Sequence, residues 1–315
     1  MNSPHPAPAG GAGDAGLVDT LADAIVARHA RLALPLADAP AVPPTADTPV
    51  YRAVRAAARR LGFIDADAEC IARAWQAQSD RQGRFDADRW PTTPADFGLA
   101  ALPAARADAD DAFAPCPERL GLYAVLPDAA WVARMAAAGM PTLQLRFKSS
   151  DAQAVRQQVQ EAVAAVRGRA TRLFINDHWR EAIEAGAYGV HLGQEDLEVT
   201  DLDAIRRAGL RLGLSSHGYA EMLRAAAVQP SYLALGAVYA TTLKRMPTPP
   251  QGPARLAAYA ALMRGRSLVA IGGIDAARFA EVKPSGVGSI AVVRALVAAA
   301  DPEAEARRLM ALLED

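Results

Sequence analysis

The fold of this chain is predicted most directly by one short stretch, Thr142-Leu143-Gln144-Leu145-Arg146-Phe147-Lys148. Its even-numbered positions are polar or charged and its odd-numbered positions are large and apolar, a period of two that is typical of a β-strand with two different faces. The surrounding sequence alternates short β-rich runs with helical runs eight times between residues 120 and 315, so both faces of the sheet should be covered. We therefore expect the polar face to line a barrel interior and to form a binding site.

The β-rich runs predict eight strands, at Leu120–Leu126, Thr142–Phe147, Arg172–Asn176, Gly189–Leu192, Arg211–Ser215, Tyr232–Val238, Ser267–Ile271 and Gly288–Val293. Helical runs fill each gap, and a final helix is predicted at Pro302–Leu313. This pattern predicts an α/β fold, a compact (β/α)8 TIM barrel with right-handed crossovers. In such barrels the chemistry is carried by residues at the carboxyl ends of the strands.

The first 117 residues differ from the rest of the chain in composition and in the period of their apolar residues. Three helical periods, at Leu17–Leu34, Val50–Gly62 and Asp65–Gln82, are separated by proline-dense joints, and Met1–Gly16 is rich in Pro, Gly and Ala. We therefore expect residues 1–117 to form a small, mainly helical and partly disordered extension, and residues 118–315 to form the barrel. The extension is interpreted either as a helical appendage or as the relic of a larger domain.

The composition narrows the classes of partner. The chain is 51% hydrophobic and 22% charged with a net charge of −1, which is typical of a soluble globular protein and gives no reason to expect nucleic acid or a membrane as partner. Cys70 and Cys116 have neither metal-site nor disulfide-framework spacing. No signal-peptide core or run of 18 apolar residues is present, so we expect a cytoplasmic protein that acts on small molecules. The sequence leaves a homo-oligomer open.

Polar residues follow most of the predicted strands. Asp177 and Asp196 follow strands three and four, beside Asn176 and Gln194, and two carboxylates with substrate phosphate oxygens commonly hold Mg²⁺. The alternative interpretation makes both aspartates caps of a helix and a loop. We further expect His191 to be an inward wall residue, whereas His217 is left open between substrate contact and structure.

Glycines near the last two strands predict a phosphate site. Gly272-Gly273 follows strand seven, and Gly286 and Gly288 precede strand eight. Barrels often bind a phosphate through backbone N–H groups of these loops, and glycine permits the close approach. The expectation is that both glycine pairs face the same site.

Taken in order, these motifs resemble the thiamine-phosphate synthase family from about residue 120 to 315. The motifs that carry the resemblance are Leu122-Tyr123, Gln144-Leu145-Arg146-Phe147-Lys148, Phe174-Ile175-Asn176-Asp177, Gly189-Val190-His191-Leu192-Gly193-Gln194-Glu195-Asp196, Ser215-Ser216-His217, Thr241-Thr242-Leu243-Lys244, Pro250-Gln251-Gly252 and Ala270-Ile271-Gly272-Gly273-Ile274. The resemblance implies a TIM barrel and a transferase of thiamine biosynthesis. The implied reaction joins a hydroxymethylpyrimidine diphosphate to a thiazole phosphate. It releases pyrophosphate through a pyrimidine cation that the thiazole nitrogen captures.

The resemblance also implies roles for individual residues. Asp177 and Asp196 would hold Mg²⁺. The contacts to the pyrimidine diphosphate would come from Gln144, Arg146, Lys148, Asn176, Ser215 and Lys244. Arg146, Lys148, Ser215 and Lys244 of this set would be catalytic. Thr241, Gly273 and the turn before strand eight would belong to the thiazole-phosphate site, and Thr242 would also bind substrate.

Three positions depart from the family pattern. His178 replaces an arginine, Leu243 a threonine, and Arg294 a frequent serine. Two other functions stay open at this point: a thiazole tautomerase that would rely on His217, and a non-catalytic paralogue that binds the ligands without releasing pyrophosphate. Residues 63–99 faintly resemble the end of a pyrimidine-phosphate kinase, but the sequence lacks the glycine-rich anion loop of such a kinase, so we predict no kinase activity.

Overall fold

The computed structural model describes residues 11–99, 112–241 and 248–314. The chain divides into two compact units, Met1–Leu99 and Ala100–Asp315. The first unit is helical, as predicted. Its helices are α1 (Gly11–Arg28), α2 (Pro49–Arg60) and α3 (Asp65–Gln82), with short 3₁₀ turns at Ala30–Leu32 and Pro94–Phe97.

Local signals fix the ends of these helices. At the start of α2, the Thr48 side chain accepts a hydrogen bond from the Tyr51 N–H (3.2 Å), and Pro49 occupies the first turn. After α3, Gly83 terminates the helix in the left-handed conformation, with φ 69°. The expectation that residues 1–16 are unstructured was wrong for residues 11–16, which begin α1. The negative charge of Asp14 in the first turn of α1 stabilises the positive end of the helix dipole, and this carboxylate also forms an ion pair with Arg52 of α2.

The second unit is a closed barrel of eight parallel strands in sequence order, which confirms the predicted fold. The strands are β1 (Gly121–Leu126), β2 (Thr142–Leu145), β3 (Arg172–Asn176), β4 (Gly189–Leu192), β5 (Arg211–Ser216), β6 (Tyr232–Leu235), β7 (Leu268–Ala270) and β8 (Ser289–Val292). The helices are α4 (Ala129–Ala137), α5 (Ala152–Val166), α6 (Trp179–Ala185), α7 (Leu202–Arg207), α8 (Tyr219–Ala227), α9 (Gly252–Leu262), α10 (Phe279–Val282), α11 (Arg294–Val297) and α12 (Pro302–Glu314). No helix within the described ranges is both long and apolar enough to cross a membrane.

Two strands end two or more residues earlier than their sequence pattern predicts, and β7 and β8 end one residue earlier. β2 stops at Leu145 because its partner β1 ends at Leu126, whose carbonyl accepts the last bond, from the Arg146 N–H (2.8 Å). β6 stops at Leu235. Beyond this end, the Val238 N–H donates to the carbonyl of Ile271, the residue that follows β7 (2.9 Å). The polar–apolar alternation after β2 and the apolar run after β6 both continue past these ends, so neither could mark where the pairing stops.

The barrel interior contains the polar face of β2, as predicted. Gln144 lies opposite Phe174 on β3, and its amide donates to the Tyr123 hydroxyl on β1 (3.0 Å). An apolar core lies around this group, with the Phe174 and Tyr232 rings packed edge to face at 5.0 Å. Gly213 makes room for Tyr232, because a Cβ at this position would overlap the tyrosine ring. The interior therefore combines a packed floor with polar groups directed to the carboxyl ends of the strands.

Candidate active site

A cavity of about 850 Å³ opens at the carboxyl ends of the barrel strands. It brings together most of the residues predicted from the sequence, which are Gln144, Arg146, Lys148, Asn176, Asp177, Ser215, Thr241 and Gly273. The predicted residues Thr242 and Lys244, together with Leu243, lie outside the described residues. The strand-end positions therefore converge on one site, since all eight parallel strands point their carboxyl ends to the same face.

Cationic and acidic groups meet on the β2–β3 side of the cavity. Lys148, just after β2, forms an ion pair with Asp177, just after β3. In the part of the chain that the structure describes, the Arg146 guanidinium has no hydrogen-bond or ion-pair partner. A guanidinium and an ammonium on the wall of a cavity suit an anionic ligand, because both donate charge-assisted hydrogen bonds to phosphate oxygens.

Asp177 is held in an uncommon backbone conformation. Its φ is +65°, in the left-handed region, and its N–H donates to the His191 carbonyl on β4 (3.0 Å). Asp177 does not cap helix α6, whose first flanking residue is His178. The helix-cap interpretation of Asp177 is therefore not supported, and its carboxylate is directed to Lys148 at the cavity.

Asp196 is half-buried and lies within the electrostatic field of Asp177. Burial raises the pKa of the Asp196 carboxyl, and the neighbouring charges of Asp177 and Glu195 raise it further. A hydrogen bond from the Gly193 N–H and the positive charge of Lys148 act in the opposite direction and lower this pKa. The Gly193 N–H lies 2.7 Å from the Asp196 Oδ2, so the loop-cap interpretation of Asp196 holds for this oxygen. Gly193 and Glu195, rather than Asp196, line the cavity itself.

The loops after β6 and β7 form the glycine-rich wall. Gly272 and Gly273 have φ values of 105° and 63°, and a Cβ on Gly273 would lie 2.5 Å from the Ala240 carbonyl oxygen. Only glycine fits this approach of two backbones. Arg278 donates to the Gly273 carbonyl and its guanidinium lies over the Tyr239 ring at 4.4 Å. This wall therefore presents backbone and a guanidinium to the cavity.

The turn before β8 was wrongly placed at this site. Val287 and Gly288 line a separate cavity of about 540 Å³ with residues such as Leu120 that precede β1, at the amino ends of the strands. The reason is the parallel sheet itself, since residues that precede a strand lie at the opposite face of the barrel from residues that follow one. On the β8 side, the active-site cavity is lined instead by Val293 and Arg294.

Two histidines line the cavity in different ways. The His191 imidazole is buried in the wall, with Nδ1 2.6 Å from the Tyr232 hydroxyl and Nε2 2.8 Å from the Ser215 Oγ. The His217 Nδ1 lies 2.6 Å from the Glu221 carboxylate one helical turn away. His191 is therefore an inward wall residue, as expected, and His217 contacts a structural partner while it also faces the cavity.

Comparisons with known proteins identify the family of the barrel. The family model described as thiamine monophosphate synthase matches residues 122–296. The chain belongs to this family. It is 53% identical over 200 residues to the thiamine-phosphate synthase of Neisseria gonorrhoeae, which covers 64% of this chain and 98% of that protein. The synthase of Cronobacter sakazakii is 52% identical over 200 residues, covering 64% and 95% respectively.

A solved structure shares both the fold and the family. The thiamine phosphate pyrophosphorylase of Pyrococcus furiosus superposes with a TM-score of 0.55 at 26% sequence identity, covering 62% of this chain and 96% of that one. The resemblance predicted from the motifs is therefore confirmed for the barrel.

Several functional positions were missed by the sequence reasoning. Tyr123 and Tyr232 lie beneath the cavity and join its polar side chains, and Arg278 lies on its wall. On β6, Tyr232 and Ala234 lie on the same face of the strand, and this spacing could have predicted an inward-facing hydroxyl. Arg278 gave no such indication, because it ends a short 3₁₀ turn (Ala276–Arg278) eight residues after β7, where no periodicity shows which way a side chain faces.

Proposed function

We propose that this chain joins a hydroxymethylpyrimidine diphosphate to a thiazole phosphate, giving thiamine phosphate and pyrophosphate. In this transfer the bond from the pyrimidine methylene carbon to the diphosphate oxygen breaks, and the oxygen keeps the electron pair. The thiazole nitrogen then gives its lone pair to the methylene carbon. The observation that carries the proposal is the meeting of Arg146, Lys148 and Asp177 on one wall of a strand-end cavity.

Cationic side chains would bind and stabilise the diphosphate leaving group. Negative charge grows on the diphosphate as the carbon–oxygen bond lengthens, so groups that bind the diphosphate more tightly in that state accelerate the reaction. Arg146 and Lys148 would donate to its oxygens from β2, and the Ser215 hydroxyl would donate from β5. Gln144 and Asn176 would position the pyrimidine, and Lys244 and Thr242 keep the roles that the family resemblance implies.

Asp177 and Asp196 would be the protein ligands of a magnesium ion. Two carboxylate oxygens from neighbouring strand ends are hard ligands, and Mg²⁺ usually completes its octahedral shell with waters and substrate phosphate oxygens. Asp177 raises the pKa of Asp196, so a cation held between them would relieve a repulsion already present in the chain. Within the described ranges, no group of three or more His, Cys, Asp or Glu is placed to hold a metal ion. When bound, the ion would supply a Lewis acid for the departing pyrophosphate.

The other walls would hold the acceptor and exclude water. The thiazole phosphate would bind at Thr241 and at the backbone of Gly273, where the two glycine loops approach each other. Val125, Ala234 and Ala291 give the cavity apolar surface. A pyrimidine cation formed there is protected from water, which favours capture by the thiazole nitrogen over hydrolysis.

The test is product analysis by mass spectrometry with the full chain and both substrates. We expect thiamine phosphate to appear only when both substrates are present. Isomerisation of a thiazole precursor without any pyrimidine would indicate the tautomerase alternative. Binding of the pyrimidine diphosphate without product would indicate a non-catalytic paralogue and would contradict the proposal.

A further inference from the structure

A continuous chain of hydrogen bonds crosses the barrel beneath the cavity. The Gln144 Nε2 lies 3.0 Å from the Tyr123 hydroxyl, which lies 2.8 Å from the Tyr232 hydroxyl. The Tyr232 hydroxyl lies 2.6 Å from the His191 Nδ1, and the His191 Nε2 lies 2.8 Å from the Ser215 Oγ. These five side chains, which we call the tyrosine relay, come from β2, β1, β6, β4 and β5. The two ends, Gln144 and Ser215, both line the cavity.

Packing determines where the central tyrosine stands. The Tyr232 ring lies edge to face with Phe174 at 5.0 Å and is stacked on the His191 ring at 5.6 Å with an interplanar angle of 26°. Gly213 leaves the space that the ring fills. Tyr232 is therefore held with its hydroxyl at the Nδ1 edge of His191, independently of any ligand.

The relay has a direction. Each tyrosine hydroxyl has one proton to donate, and burial raises the pKa of both Tyr123 and Tyr232, so both keep that proton. Because the Gln144 Nε2 donates to the Tyr123 hydroxyl, the order that satisfies every group is donation from Tyr123 to Tyr232 and from Tyr232 to the His191 Nδ1. His191 must then carry its proton on Nε2 and donate it to the Ser215 Oγ.

We propose that Tyr232 is a positioning residue that holds His191 in its neutral Nε2–H tautomer and thereby makes the Ser215 hydroxyl a hydrogen-bond donor toward the cavity. A hydroxyl that accepts from His191 directs its own proton away from the ring, to an anionic group in the cavity. In the opposite tautomer, Ser215 would donate to His191 and would turn its lone pairs toward that anion. The assignment of the anion as the substrate diphosphate rests on the proposed function, whereas the tautomer does not.

The tautomer is measured by NMR on the full chain labelled with ¹⁵N-histidine, without substrate. His191→Asn identifies the resonances that belong to His191. We expect the wild-type spectrum to show an unprotonated Nδ1 and a protonated Nε2. A wild-type His191 protonated on Nδ1 would overturn the proposal, and this spectrum decides the matter even if the tyrosine variants fail to fold.

The variant Tyr232→Phe removes the donor to Nδ1 and keeps the ring. We expect its His191 resonances to move toward a mixture of tautomers, and kcat/KM for the pyrimidine diphosphate to fall about tenfold because one charge-assisted hydrogen bond is weakened. The KM for the thiazole phosphate should stay unchanged, which separates this effect from a general loss of structure. His191 resonances like those of the wild type in Tyr232→Phe would contradict the proposal.

Tyr259→Phe is the matched control. Tyr259 is also buried, and its hydroxyl donates to the Gln251 side chain (2.9 Å) on the helix side of the barrel rather than to the relay. This variant loses a buried tyrosine hydroxyl of the same kind, so its His191 resonances should match the wild type. If the chain makes no thiamine phosphate but His191 still has the predicted tautomer, the proposed function fails and the relay stands.

Discussion

Replacement of Asp177 by asparagine is expected to lower kcat/KM by about 10²- to 10⁴-fold while the protein stays folded. The variant loses the carboxylate that would bind Mg²⁺ and that pairs with Lys148. Asparagine is preferred to alanine for this test, because Asp177 has φ +65° and asparagine tolerates the left-handed region at little cost. The measurement is steady-state turnover with both substrates, together with a thermal unfolding curve.

A second aspartate provides the control for this experiment. Asp203 on α7 also forms an ion pair with a cation, Arg206, but its side chain is 69% exposed and lies outside the cavity lining. Asp203→Asn should keep turnover close to the wild type, since an exposed ion pair contributes at most about 1 kcal/mol to stability. Near-normal turnover of Asp177→Asn would refute the role assigned to this carboxylate.

Replacement of Arg146 by glutamine should have the next largest effect, a fall of about 10- to 100-fold in kcat/KM for the pyrimidine diphosphate. The reason is that a hydrogen bond to a charged group contributes about 1.5–3 kcal/mol, and each 1.36 kcal/mol corresponds to about a tenfold change in rate. Glutamine keeps a planar N–H donor on a shorter side chain and removes the charge. The KM for the thiazole phosphate should change little, because Arg146 lies on the β2 side of the cavity.

Arg156→Gln serves as the matched control for the arginine variant. Arg156 lies on α5, and its Nε is 3.7 Å from the Glu184 carboxylate on the outside of the barrel. Both variants remove one positive charge from the protein, so a general effect of net charge would appear in both. Equal kinetic effects of the two substitutions would contradict a specific contact between Arg146 and the diphosphate.

The sequence predicted the barrel and the positions of its strands because hydrophobic periodicity records which side chains are buried. It could not predict where β2 and β6 end, since the alternation after β2 and the apolar run after β6 continue beyond the last paired residue. It assigned the glycines before β8 to the wrong end of the barrel. Their place before a strand already implied the amino ends of the barrel, so this point could have been predicted from the sequence order.

The site was predicted where polar residues follow a strand and was missed where they lie beneath it. Lys148 and Asp177 stand at strand ends, so the rule for parallel barrels placed them in one cavity. Tyr123 and Tyr232 fall at inward positions that are usually apolar, and only tertiary packing brings their hydroxyls within 2.8 Å of each other. Hydrogen bonds between strands distant in sequence leave no periodic pattern.

The central claim is a magnesium-assisted transfer, and the most direct measurement is pyrophosphate release by the purified chain given both substrates, with and without Mg²⁺. We predict release of pyrophosphate together with an equal amount of thiamine phosphate, loss of both on chelation of the metal, and recovery when Mg²⁺ is restored. Equal release of pyrophosphate in the presence of the chelator would contradict the role of the two aspartates. Absence of release under all conditions would contradict the transfer itself.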